Sequence, residues 1–489
     1  MVALLLGWAV LVPTGSQWQW WQPTLGVLVA VLVLGSWNGL LLTTAANRWV
    51  PMRVRNRQRR NGSGRGRRRA SAGGGRRKRG DDMASAEGST SLSAPGEATV
   101  TLRVQPQPHQ VSSADAAGGQ LPWQQLLVWL DRYGVRADAM TVTSVATTPA
   151  PSALRQAQSR LVTDQWECWI TFVFSTVSNL EALKARSTVI GELAKVTTRR
   201  MVGELRERGW VVAVVEDSAE FPRFVDRSAR VRRECWTGTE YGDGFRAVYA
   251  VEPSALSSVV AALPGLATKC VWTSVTVRSQ GRQGPTVEAF VAMLTAARPD
   301  RVPLKGLTGF DGLHRVRAEA VSIADAGVQL PRAELDVAGL QELRWQLVGA
   351  GVPIGSNKQG QPEYLGLDSV DPVRITVTGD PAFQLGMCSR LALSGRPMGI
   401  YVAQPDRFRE LAANAAVNQI QPAPKADQIG RGWMVVGDDS RRVPAAHTTV
   451  LLRGPSGSEP AETSINITQD SQNRHLFTVG GKTLAVQLH

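Results

Sequence analysis

The first 80 residues of this 489-residue chain contain no aspartate or glutamate, although fourteen arginines and lysines lie between Arg48 and Arg79. Setting those fourteen aside leaves 41 basic residues against 41 acidic ones, so the whole formal charge of +14 sits in one stretch. A chain basic throughout, of the kind that coats nucleic acid, is thereby excluded. Cysteine is scarce as well: Cys168, Cys235, Cys270 and Cys388 are scattered and none forms a CxxC pair. That excludes a disulfide scaffold and gives no sign of a zinc site, and reduced thiols in a cytosolic compartment are the expectation. No GxxxxGK[ST] loop and no HExxH pattern occurs, and the five histidines (His109, His314, His447, His475, His489) are far apart. Gly430-Arg431-Gly432 is too short for a dinucleotide fingerprint and precedes a strand, the wrong order.

Charge is also missing from residues 24–44, twenty-one positions rich in leucine and valine. At about 1.5 Å per residue these reach roughly 30 Å, the thickness of a bilayer's hydrocarbon layer. Arg48, Arg53, Arg55, Arg57, Arg59 and Arg60 follow at once, as expected of a cytoplasmic flank facing lipid headgroups. A cleaved signal peptide would carry its cations before the apolar run, and none precede this one. Residues 2–12 are apolar but short, and Trp18, Trp20 and Trp21 read as an aromatic belt at a membrane surface. The expectation is a transmembrane helical hairpin over residues 1–47, an interfacial first segment being the alternative. Residues 48–96 read as a basic, disordered juxtamembrane linker, too poor in large apolar side chains to offset ordering entropy. Its block 65–79 suits topology and attraction to anionic lipid, and no aromatic residues interleave to support specific nucleic-acid binding.

Beyond residue 97 the pattern is that of an α/β protein, with α+β layers and a C-terminal βαβα unit. Strands are predicted at 98–104, 139–145, 165–174, 210–215, 245–251, 270–277 and 287–294, with helices near 122–133, 179–208 and 253–263. In 165–174 both alternating faces are apolar, which predicts an interior strand. Residues 97–300 form a first cytosolic region and 301–370 a connecting region with a helix at 340–349. The C-terminal region, 371–489, opens with strand 373–378, helix 381–394, strand 398–402 and helix 405–415, and finishes with further strands.

Few residues offer chemistry. Asp438-Asp439 after a strand could hold a metal and a sugar nucleotide, and a plain turn is the competing reading. Asp380, before Pro381, reads as a helix N-cap. Trp123, Trp166, Trp169, Trp236 and Trp272 read as core rather than as a stacking platform. No catalytic, cofactor-binding or metal-ligating residue is assigned, and no cofactor is expected.

Several segments together resemble the EccE family of type VII (ESX) secretion systems of mycobacteria and related actinobacteria. They are the amino-terminal apolar stretch with its basic flank, residues 126–145 (LLVWLDRYGVRADAMTVTSV), the strand at 166–174 with the helix ending LRERG, residues 235–250 (CWTGTEYGDGFRAVYA), and residues 379–411. The resemblance implies a structural, hetero-oligomeric subunit of an inner-membrane complex, required for its assembly or stability and for substrate export. It implies EccB, the ATPase EccC and EccD as partners, contact with membrane lipids, a multi-pass topology and a cytoplasmic bulk. A membrane-anchored, glycosyltransferase-like enzyme of envelope synthesis is the alternative, and a nucleic-acid tether through residues 65–79 a third.

Overall fold

The computed structural model describes residues 36–37, 40–66, 96–105, 111–113, 121–148, 152–153, 165–208, 210–215, 221–226, 229–280, 284–321, 330–334, 336–343, 345, 352–356, 362–367, 372–430, 432–438, 442–455, 464–470, 474–479 and 482–487. Trp18, Trp20 and Trp21, the short apolar stretch and most of the basic block 65–79 lie outside these residues.

Two large sheets organise the chain. In the first, the main path runs Arg233–Cys235, Gly238–Glu240, Phe245–Val251, Gly284–Thr295, Cys270–Gln280, Ala139–Thr147, Gln165–Ser175, Glu97–Gln105, Val211–Val215, and every ladder is antiparallel. Gln165–Ser175 is interior, as its doubly apolar pattern requires. Cys168, Ile170, Phe172 and Phe174 enter a core shared with the Ile190–Glu207 helix. On the opposite face Trp169 packs with Phe224, Val248, Trp272 and Phe290, beside Ala318 of the His314–Ala320 helix. Elements cover both faces, so inward residues need not alternate with polar ones. Hydroxyl pairs cross between strands inside this sheet: Thr101 with Thr171 at 3.2 Å and Thr143 with Ser274 at 3.0 Å. Trp123, Trp169, Trp236 and Trp272 are buried and Trp166 half-buried.

In the second sheet, Ile420–Pro422, Met398–Tyr401, Met434–Asp438, Thr448–Arg453, Val373–Thr378 and Ile465–Gln469 lie side by side and parallel. Arg474–Val479 and Lys482–Gln487 continue it antiparallel, followed by Val352–Ser356, Pro362–Leu365 and Val111–Ser113. The predicted βαβ strands, Val373–Thr378 and Met398–Tyr401, do run parallel, but two later strands separate them. Gly395 ends the intervening helical segment at φ +74°, a left-handed conformation that suits glycine.

No described helix is long and apolar enough to cross a membrane, and residues 1–35, which hold most of the expected hairpin, lie outside the described residues. Several other expectations are corrected. Inside the predicted span, Ser36–Trp37 pairs antiparallel with Leu40–Leu41, and a helix starts only at Leu42. The sequence there contains Asn-Gly, the dipeptide most favoured in two-residue hairpins, a local signal that competes with apolar continuity. That helix, Leu42–Gly66, also occupies the start of the predicted disordered linker. The single helix expected over 179–208 is two, Leu180–Arg186 and Ile190–Glu207, broken where Ser187 takes a left-handed φ of +49°. The helix expected at 340–349 is the shorter Val337–Gln341. The connecting region is divided: Leu307–Gly309 and Ala333–Glu334 join the first sheet, and Leu340, Leu343 and Trp345 its core, whereas 352–356 and 362–365 join the second.

Candidate functional site: a buried glutamate that holds the basic helix

The Leu42–Gly66 helix has a defined inner face. Ala45, Arg48, Met52, Arg55, Asn56 and Arg59 recur at helical spacing, and Ala45 and Met52 are buried. The face lies against Arg233–Cys235, the outermost strand of the first sheet's path. Arg55 forks onto the Glu234 carboxylate, with Nε 3.1 and 3.0 Å from its two oxygens and Nη2 2.7 Å from Oε2. Arg59 approaches Oε1 to 2.9 Å, and Arg315, from the His314–Ala320 helix, to 3.3 Å. Arg315 also holds Glu319 at 2.8 Å. Asn56 reads the strand's backbone: its amide donates to Glu234 O at 2.8 Å and accepts from Glu234 N at 2.9 Å. One side chain thus satisfies both backbone groups of an edge residue that would otherwise invite another strand.

A second contact lies one turn and more towards the amino end. Arg48 donates to Asp311 O at 3.3 Å. It packs over Gly312, where φ is +72° and an added Cβ would stand 2.9 Å from the Trp236 ring and 3.1 Å from the Arg48 Cβ. Glycine there lets the helix approach.

Glu234 is only 2% exposed, whereas Arg55, Arg59 and Arg315 are each about a third exposed. Burial pushes its carboxyl pKa up, but the Arg55 hydrogen bond and the charges of Arg55, Arg59 and Arg315 outweigh it and hold the group below the ordinary glutamate range. The sign of the pH effect follows. The stabilisation is fully present above the unfolded glutamate value of about 4.3 and is lost as pH falls through the lower folded value. Acidification below that range is therefore expected to loosen the helix, seen as faster amide exchange over residues 45–59 after correction for intrinsic rates. Unchanged protection down to the unfolding pH would show that the carboxylate does not hold it.

The parallel sheet's carboxyl edge is the other place where chemistry was sought. Asp380 caps the Pro381–Ala392 helix as the sequence indicates, accepting from Phe383 N at 2.7 Å, and Gln469 donates to its other oxygen at 2.9 Å. The Phe383 amide and then Gln469 lower its pKa. Its carboxylate fills the position where a phosphate would meet the helix, and Pro381 offers no N–H. His475 stacks on Phe383, ring centroids 4.5 Å apart, and burial followed by the Arg390 charge lowers its pKa. Asp438 accepts from Ala403 N at 2.8 Å, tying two strand ends together, and Asp439 lies outside the described residues. These are structural uses. Asp380→Ala is expected to lower the urea midpoint with little change in slope, because a cap is lost and the fold kept.

The comparisons with known proteins bear on the first of these places. A family model described as putative type VII ESX secretion system translocon, EccE, matches residues 162–251, from the Gln165–Ser175 strand through Glu234 to the end of Phe245–Val251. The ESX-3 secretion system protein EccE3 of Mycolicibacterium smegmatis is 30% identical over 314 residues, covering 62% of this chain and 81% of that protein. The chain belongs to the EccE family. The EccE3 protein of Mycobacterium tuberculosis is 29% identical over 247 residues, which span 48% of this chain and 57% of that protein. Within this EccE chain, Glu234 falls inside the family-matched segment and its partners Arg55 and Arg59 outside it. Of the six arginines expected to face lipid, Arg48, Arg55 and Arg59 make contacts with the folded domain. Arg53 and Arg57 are exposed, and only the backbone of Arg60 is described. Reading the six as one flank missed the helical spacing that separates them. It missed Glu234 and Arg315 altogether, although an acid closing the run Arg230-Val231-Arg232-Arg233-Glu234 was a visible signal.

Proposed function

We propose that this EccE-family chain serves its secretion machine by contact and placement. As a family member it is a component of a type VII (ESX) secretion system. The finer reading is a structural subunit at the inner membrane, anchored by its amino-terminal apolar segments. Its bulk is cytoplasmic, and its neighbours are EccB, the EccC ATPase and EccD. An uncharged run at 24–44 followed by fourteen cations supports that topology. The observation that carries the placement role is the Glu234 clamp. It fixes the membrane-proximal helix to the first sheet, so that anchoring the helix also orients the domain. A tether of this sort raises effective concentration at partner surfaces without adding contacts.

Gentle detergent extraction is expected to yield a large particle containing this chain with the other subunits, and deletion to abolish export of substrates. A chain that remains monomeric when the partners are co-expressed would refute the reading. The enzyme alternative has no support from the sheet edge, where Asp380 caps a helix and Asp438 ties two strand ends together.

A further inference from the structure

The Leu42–Gly66 helix has two faces, and the clamp uses one of them. Opposite the inner stripe lie Val50, Arg53, Val54 and Arg57, with Trp49 on the flank. Trp49, Val50 and Val54 are 40%, 52% and 47% exposed, and the Arg53 guanidinium stacks over the Trp49 ring at 4.7 Å. On the inner side Arg55 and Arg59 share Glu234 as their counter-ion. On the outer side no acidic counter-ion meets Arg53 or Arg57 among the described residues, and the first 80 positions contain no acidic residue. We propose that this outer face seats on an anionic bilayer surface while the inner face grips the folded domain, making the helix a bracket between the two.

The side chains select that occupant. Tryptophan and arginine place apolar bodies at the headgroup boundary with polar ends in water, and the two valines supply apolar area. Two exposed cations complement phosphate headgroups, each worth roughly a factor of five in surface partition. A nucleic acid would leave Val50 and Val54 without a use. From Trp49 to Arg57 the face runs about 12 Å along the helix, whose axis would lie in the plane of the surface. The inference rests on the membrane-bound reading above.

The test uses the full chain in nanodiscs, either of phosphatidylcholine alone or with a third of phosphatidylglycerol. A nitroxide is attached after Val50→Cys or Val54→Cys, in a Cys270→Ser background, since the other three cysteines are buried. Val417→Cys, at a residue 91% exposed in the second sheet's domain, is the reference position. In anionic discs the labels at 50 and 54 are expected to gain oxygen accessibility and lose accessibility to a water-soluble nickel chelate several-fold, while that at 417 does not change. Arg53→Glu with Arg57→Glu should reverse the gain. Full water accessibility at 50 and 54 in anionic discs overturns the proposal. So does shielding that is equal in neutral discs and insensitive to the double reversal, or shielding that appears only when other secretion subunits are added. Continued co-purification of the doubly reversed variant with those subunits would leave the functional reading standing while this one falls. Failure of the chain to enter discs would refute the membrane-bound reading itself.

Discussion

Glu234→Lys is expected to detach the Leu42–Gly66 helix from the first sheet and to speed amide exchange over residues 45–59 roughly a hundredfold. Glu234 is buried under three guanidinium groups, and lysine would set a fourth cation against them. Removing one partner of a buried ion pair costs about 3–5 kcal/mol. The arginines keep partial access to water, so the lower end of that range applies, and about 3 kcal/mol corresponds to the stated factor. Glu234→Gln should have a smaller effect, because it keeps the side-chain shape and adds no cation beside Arg55, Arg59 and Arg315. Protection outside the helix should change little. Equal exchange in Glu234→Lys and the parent would mean that Arg48, Met52 and Asn56 suffice to dock the helix.

Trp345→Ala is the second large effect expected. Trp345 is 3% exposed and meets Trp123 edge to face, ring centroids 5.9 Å apart, in the core that also holds Leu340 and Leu343. Truncating a buried tryptophan removes its transfer energy and leaves a cavity, together about 3–5 kcal/mol. The urea midpoint of the first sheet's domain should fall accordingly. A cycle with Trp123→Ala should give a double variant less destabilised than the sum of the singles, because the two rings share one contact. Additive losses would show that the ring pair contributes nothing beyond separate burial.

Much of the fold was legible because local signals and burial agreed. Alternation over 165–174 marked an interior strand, and Asp380-Pro381 with Gly395 marked a helical segment's two ends. The antiparallel character of the first sheet was not legible, since helices between strands suggest parallel pairing and only long-range register decides. The break at Ser187 was hidden for a related reason: no glycine or proline marks it, and a serine at φ +49° is uncommon among residues that carry a Cβ. The clamp was half legible. Helical spacing separates Arg55 and Arg59 from Arg53 and Arg57, but their acceptor lies 179 positions from Arg55, and no local rule joins them.

The short strand Val111–Ser113 comes from the amino-terminal half yet pairs with Pro362–Leu365 at the margin of the second sheet. Expressing the carboxy-terminal half by itself would strip that margin and leave a row of bare amides and carbonyls, an invitation to aggregate. Fragments meant for biochemistry should therefore keep residues 111–113 in reach, supplied in cis or as an added peptide.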